Sequence, residues 1–426
     1  MTFNSVKEKF IFYSFPAILF SLIPFFLITG PFLSDLSISL ISLLFLVYCI
    51  KKKNFSYFKN KYFYFFLIFW SYLVFNALFN NFNLNSLKIS FFYFRYGVFV
   101  IAIVHLINVN DKIIKYFFYC ILICFSALIL DGFYQYFVGE NILGFKSPNP
   151  IRVSSFFHNE MILGSYLSRL WPLFFGLSIF IFKKKNKLFL LFILIFILSE
   201  VLIFISGDRT SFFYINLSAI FVILFSQKLL KLRLFTLLSS VLLIIIISFI
   251  NPNAKERIFD QTLNQMNLGS DERAEKEKIK KQFVIFSKPH TEIYISAYKM
   301  FLDNKILGVG IKNFRNICSD KRYKTKNSCS THPHNTYIQI LSEIGIIGFL
   351  FLMIIIFYFC KYIIKHLYLK FKGKYHFNDF EICILSGITI YLWPFVPTGN
   401  VFSNWLNIIM ILNLPFLIWS RKFINN

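Results

Sequence analysis

Two histidines flank a proline in the stretch Cys329-Ser-Thr-His-Pro-His-Asn335. An imidazole titrates near pH ~6.5, so in neutral form it can take a proton from a hydroxyl, which is general-base chemistry. Pro333 removes a backbone donor and keeps His332 extended, which predicts a helix beginning just after it. If Asn335 starts that helix, then Asn335, Gln339, Ser342 and Glu343 fall at i, i+4, i+7 and i+8 on one face. That face is polar within an apolar run that continues to about Phe359. His334 would stand at the mouth of the polar stripe, with Asn335 or Glu343 placed to orient it.

Arg209 is the second group with evident chemistry. It lies in Ser206-Gly-Asp-Arg-Thr210, a tight junction between two apolar runs. A guanidinium is a rigid fork of donors matched to phosphate oxygens, and Thr210 and Ser211 would add hydroxyls at the following helix start. The plainer alternative is that Arg209 only pairs with Asp208. Arg152 and His158-Asn159, in an earlier loop, are weaker candidates of the same kind. Arg95, Asp131, Arg169 and Glu200 lie in or at the ends of apolar runs, where a charge is costly and must pair, snorkel or serve function. Asp131 leads a polar line through Gln135 and Gly139 toward the next loop, and structure and function are equally open there. Cys318 and Cys329 could close a loop of about a dozen residues ahead of His332, a bridge worth about 3 kcal/mol on an oxidising side of the membrane. Cys329, His332 and His334 as metal ligands would lack a fourth partner, so no metal is expected.

The elements that must position these groups are membrane helices. Hydrophobic residues make up 57% of the chain and charged residues 15%, too few charges for a soluble domain of this size. The apolar residues come in blocks, near 10–29, 32–50, 61–79, 90–108, 114–137, 161–182, 187–205, 210–226, 233–250, 336–359, 379–397 and 403–420. Each is close to the length of a bilayer span, which predicts an all-α polytopic membrane protein with about twelve transmembrane helices. The first block follows Lys7 and Lys9 without a small-residue cleavage site and is expected to be a retained helix.

Alternate loops, around 51–61, 112–115, 183–187, 228–233, 361–374 and 421–422, hold the Lys and Arg clusters. The loops between them carry only Lys88, Lys146, Arg152 and Arg209. This alternation predicts cytoplasmic termini and places the histidines and Arg209 outside. The net charge of +25 is therefore topology, not a nucleic-acid footprint. The expected organisation is nine helices over 1–250, one large periplasmic region over 251–335, and three helices over 336–426. The large region holds a charged run at 271–281, a helical pattern over 293–302 and then Gly308-Val-Gly310, a turn or a site of close backbone approach.

His334-Asn335, nine residues, and then Gly345-Ile-Ile-Gly348 resembles the histidine signature of the O-antigen ligase and polymerase superfamily. The small or hydroxyl residue usual after the second glycine is Phe349 here. The resemblance extends to the span count, the large loop between the ninth and tenth spans, the arginine at the seventh-to-eighth junction, and the stretch ending in Gly308-Val-Gly310. It implies an enzyme of the bacterial inner membrane, with its site facing the periplasm. Such an enzyme moves a glycan from undecaprenyl diphosphate to an acceptor hydroxyl without a cofactor or nucleic acid.

In the ligases the acceptor is a sugar of the lipid A core, in the polymerases a second lipid-linked glycan, and in related protein glycosylases Ser or Thr. His334 would be the general base and Arg209 would hold the diphosphate, with a second cation from Arg257, Arg152 or His290. No pair of outer-loop carboxylates suggests a two-step reaction and no Asp-x-Asp motif is present, so direct inverting, metal-independent displacement is expected. A lipid-linked oligosaccharide flippase is the alternative of another class. It would call for midplane binding residues and related halves, which this sequence lacks.

Overall fold

The computed structural model describes residues 6–424 apart from 81–82, 183–185, 228–229, 251, 266–283 and 285–286. The charged run at 271–281 and Lys183, Lys184, Lys185 and Lys228 lie outside the described residues. The principal helices are α1 (Phe15–Thr29), α2 (Pro31–Lys51), α3 (Lys61–Phe79), α4 (Leu84–Phe92), α5 (Phe94–Val109), α6 (Lys112–Val138), α7 (Leu163–Ile181) and α8 (Asn186–Ile205). They continue as α9 (Arg209–Phe225), α10 (Leu230–Ile250), α11 (Lys288–Asp303), α12 (Thr336–Phe371), α13 (Asp379–Leu392), α14 (Asn404–Ile411) and α15 (Asn413–Ile424). Among the described residues there is no strand, only an isolated bridge between Glu140 and Lys146.

Among the described residues, six helical segments are long and apolar enough to cross a membrane: Val6–Thr29, Pro31–Lys51, Lys61–Phe79, Leu84–Val109, Lys112–Val138 and Thr336–Phe371. The chain is a multi-pass membrane protein. Several of the other apolar blocks form shorter helices, and the block at 379–397 shows why. Pro394 disfavours helix at Trp393 and Pro397 follows, so α13 stops at Leu392 and residues 393–403 cross the bundle end without regular structure. At the centre stands α7, buried along most of its length, with α9 and α13 packed on it and on each other.

The pattern over 293–302 is a longer helix, α11, capped by Ser287 and packed on α12. The two meet at a joint built from glycines. Gly345 has φ +64° and interrupts α12. The backbone groups freed there are taken up by the loop after α11. The Val309 N–H donates to Ser342 O (2.8 Å), Gly310 N–H to Glu343 O (2.9 Å) and Ile346 N–H to Lys305 O (2.8 Å). From α3, Tyr72 Oη donates to Ile344 O (2.5 Å) and Asn76 Nδ2 to Leu307 O (2.6 Å).

A Cβ at Gly308 would lie 2.5 Å from the Glu343 carbonyl carbon, and one at Gly345 would lie 2.1 Å from Ile306 O. Both obstructions are backbone, and both glycines sit at positive φ, so neither position accepts a side chain. Gly310 turns the loop away at φ +99°, and Gly348 leaves room for the Ile344 side chain, which comes within 2.3 Å of a Cβ built there.

Candidate active site

His334 is held in a conformation few non-glycine residues adopt, with φ +55°. Its carbonyl accepts from Thr398 N at 2.8 Å, and its ring Nε2 is 2.8 Å from Ser330 Oγ. The next residue, Asn335, caps α12: its side-chain oxygen accepts from Tyr337 N (3.0 Å) and Ile338 N (3.2 Å). Asn335 Nδ2 donates to Pro394 O at 2.8 Å. Asn335 thus ties the start of α12 to the 393–403 segment and fixes the backbone on which His334 stands.

Two further imidazoles close on His334. The ring centroids of His332 and His290 are 4.1 Å and 5.6 Å from it. His332 is pinned between Thr331 Oγ1 (2.9 Å) and Thr398 O (3.1 Å), and His290 Nδ1 is 2.7 Å from Ser287 Oγ. Burial pushes all three below the usual histidine range, His290 and His332 to about 4. After burial, the charges of His334 and Arg209 depress His290 further. All three rings are therefore neutral near pH 7.

His290 joins this cluster to the arginines, which gather around the turn at Ser206–Asp208. Arg152 Nε donates to Ser206 O (2.7 Å) and Arg257 Nε to Gly207 O (2.9 Å). Arg209, the first residue of α9, reaches Gln265 Oε1 (2.8 Å) and Thr262 Oγ1 (3.3 Å). Asp208 does not pair with Arg209. It caps α9, accepting from Ser211 N (3.2 Å) and Ser211 Oγ (2.6 Å), so the Ser211 hydroxyl is already engaged. Gly207, at φ +65°, lets Arg257 cross the turn, because a Cβ there would lie 2.7 Å from Arg257 Cδ. Burial, and then the neighbouring charge of Arg257, depresses Arg152 below the ordinary arginine range.

Arg152 is held there from α6. Asp131 accepts from Ile142 N (2.8 Å) and Ser155 Oγ (2.5 Å), and Gln135 Oε1 accepts from Ser154 N (2.9 Å) and Ser155 N (2.7 Å). The polar line from Asp131 is a clamp on the loop that carries Arg152. His158, in the same loop, packs its ring on Phe145 at 4.2 Å.

The polar face of α12 turns into protein. Gln339 Nε2 donates to Glu343 Oε2 (3.0 Å) and Asn400 Oδ1 (2.9 Å), and its Oε1 accepts from Val401 N (3.1 Å). Glu343 is fully buried, about 13 Å along the helix from His334, and stands apart from the histidines and arginines. Cys318 and Cys329 form a disulfide with Cα atoms 5.1 Å apart, which removes Cys329 from any ligand set with His332 and His334. Among the described residues no group of three or more His, Cys, Asp or Glu side chains has metal-holding geometry.

The arrangement pairs a neutral base with cations able to hold an anionic leaving group. Residues 192–353 match the family model described as O-antigen ligase. Over that segment the chain is similar to the O-antigen ligase superfamily. The matched segment includes Arg209, Arg257, His290 and His334, and the match supports lipid-linked glycan transfer in general. Arg152 and the 393–403 segment lie outside the matched segment, yet Arg152 donates to Ser206 O and Thr398 O meets His332. No curated protein matches the chain. Reading the sequence missed Ser330, Thr398 and the role of His332. The signal for Thr398 was Pro394 and Pro397 interrupting an apolar block.

Proposed function

We propose that the chain is an O-antigen ligase that transfers a glycan from undecaprenyl diphosphate to a hydroxyl of a lipid A core sugar. One observation carries the reading: in and beside the segment matched to the O-antigen ligase model, His334 packs on His290, and His290 feels the charge of Arg209, which shares the Ser206–Asp208 turn with Arg152 and Arg257. In the step, the acceptor hydroxyl gives its proton to His334 and its oxygen bonds to the anomeric carbon. The anomeric C–O bond to the diphosphate breaks, and its electron pair leaves on the diphosphate oxygen.

The attack comes from the opposite face and inverts the sugar. With Nε2–H donating to Ser330 Oγ, Nδ1 keeps the lone pair that takes the proton. Such a base contributes roughly 10²–10⁴-fold. The arginines and His290 hold the diphosphate and stabilise its growing charge. Asn335 is a positioning residue. Glu343 and the paired glycines support the joint beneath the site. The alternating Lys and Arg loops support about twelve spans, with residues 251–335 and the site on the periplasmic side of the bacterial inner membrane and both termini cytoplasmic.

The test is deletion in the native host. The ligase assignment expects polymer stranded on the lipid carrier and bare lipid A core, restored by wild type but not by His334→Ala. A single repeat unit on lipid A core would refute it in favour of a polymerase.

A further inference from the structure

Below the arginines, the centre of the bundle holds a cation without a counter-ion. Arg169 of α7 is 5% exposed, its Nη1 donates to Ser165 Oγ at 2.5 Å, and its Nε has no partner. Among the described residues it forms no ion pair, whereas Arg95, only partly buried among helices, is paired with Asp35 at 2.5 Å. The Arg169 guanidinium lies 4.7 Å from the ring centre of Tyr214 and 5.8 Å from that of Tyr391. Both phenol hydroxyls are buried without a partner, as is Trp393 Nε1 in the same cluster. Leaving such groups unsatisfied is costly, and most so for a charge in the membrane interior.

These groups point toward the site. A Cβ built on Gly164 would lie 3.0 Å from the Cβ atoms of Asp208 and Ser211, so α7 and α9 begin side by side at the arginine end. Helical side chains tilt toward their own N-terminus. Arg169 and Tyr214 are each five residues past those starts, so they lean toward the mouth from about 8 Å below it. Tyr391 is in the last turn of α13, directly before the segment whose Thr398 holds His334. All four groups can donate a hydrogen bond, and the guanidinium and indole can do nothing else. A floor of four donors that includes a full positive charge calls for an anionic oxygen ligand, and in a bilayer the abundant one is lipid phosphate.

We propose that Arg169, Tyr214 and Tyr391, with Trp393 at their edge, form a phosphate subsite that seats the lipid-esterified phosphate of a polyprenyl diphosphate. It rests on the ligase reading and adds to it: the arginines at the turn take the outer phosphate and Arg169 takes the inner one.

The experiment titrates the full-length chain in neutral detergent with polyprenyl diphosphate, phosphatidylglycerol or inorganic phosphate, followed by native mass spectrometry. Tyr391→Phe is the decisive variant, because it removes a hydroxyl that has no partner in the chain. Its unfolding temperature should match or exceed that of wild type, while polyprenyl diphosphate affinity falls roughly ten- to a hundredfold. Arg169→Met should lose at least as much. Wild-type affinity in Tyr391→Phe overturns the proposal. So does a loss seen with phosphatidylglycerol or inorganic phosphate but not with polyprenyl diphosphate. Arg209→Lys separates the two readings: if it weakens binding and Tyr391→Phe does not, only the floor fails. If Tyr391→Phe weakens binding and Arg209→Lys does not, the floor stands and the arginine grip fails.

Discussion

Gly207→Ala should disable the arginine cluster without replacing any group that meets substrate. At φ +65° an alanine is strained by about 1–2 kcal/mol. Its Cβ would lie 2.7 Å from Arg257 Cδ and 2.9 Å from Arg257 Nε. The flexible side chain must yield, which breaks the 2.9 Å bond from Arg257 Nε to Gly207 O. A hydrogen bond from a charged donor is worth about 1.5–3 kcal/mol, so displacing Arg257 should slow transfer roughly ten- to a hundredfold.

The assay is glycan transfer in proteoliposomes from a synthetic lipid-linked donor, with wild type, Gly207→Ala, Arg257→Ala and the double variant. If Gly207→Ala acts through Arg257, it adds little in the Arg257→Ala background. Full activity in Gly207→Ala would refute the reasoning. So would an equal loss in both backgrounds, since that would make the effect backbone strain alone.

Three other outcomes follow from the same geometry. His290 and His332 are held near 4 against an ordinary value near ~6.5, so between these limits the unfolded chain binds more protons. Stability is then complete above pH ~6.5 and is lost as pH falls toward about 4, by at most about 3 kcal/mol per histidine. Melting temperatures equal at pH 5 and pH 7.5 would contradict this. Asp131→Asn leaves one of two acceptors for Ile142 N and Ser155 Oγ and should loosen the loop carrying Arg152 by about 1–3 kcal/mol. Faster proteolysis within 139–160 and a raised donor KM would report it, and unchanged values for both would count against the clamp. Cys318→Ser should cost about 3 kcal/mol on non-reducing thermal melts, and an unchanged melt would show that the bridge contributes nothing.

The start of α12 was legible because Pro333 and Asn335 are local signals, and α11 because its pattern is helical. Arg209 was legible as a cation at a helix start, but its setting was not. The neighbouring arginines converge through the carbonyls of Ser206 and Gly207, and no side-chain spacing encodes a bond to a backbone carbonyl in another segment. The polar stripe of α12 was legible from its spacing but its partners were not: the Gln339 side chain meets Glu343, Asn400 and the Val401 N–H, and the Ser342 and Glu343 carbonyls accept from the 308–310 turn. In the block at 379–397 the apolar run is longer than its helix, because Pro394 and Pro397 end α13 at Leu392. Gly308 and Gly345 were visible as a repeated motif, but that each fits against the other's backbone emerges only in three dimensions.

The claim on which the rest depends is that His334 takes the acceptor's proton. The measurement is the rate of glycan transfer by purified His334→Ala at saturating donor, alongside its melting temperature. Loss of roughly 10²–10⁴-fold with an unchanged melt is the predicted result, and transfer at the wild-type rate would contradict it.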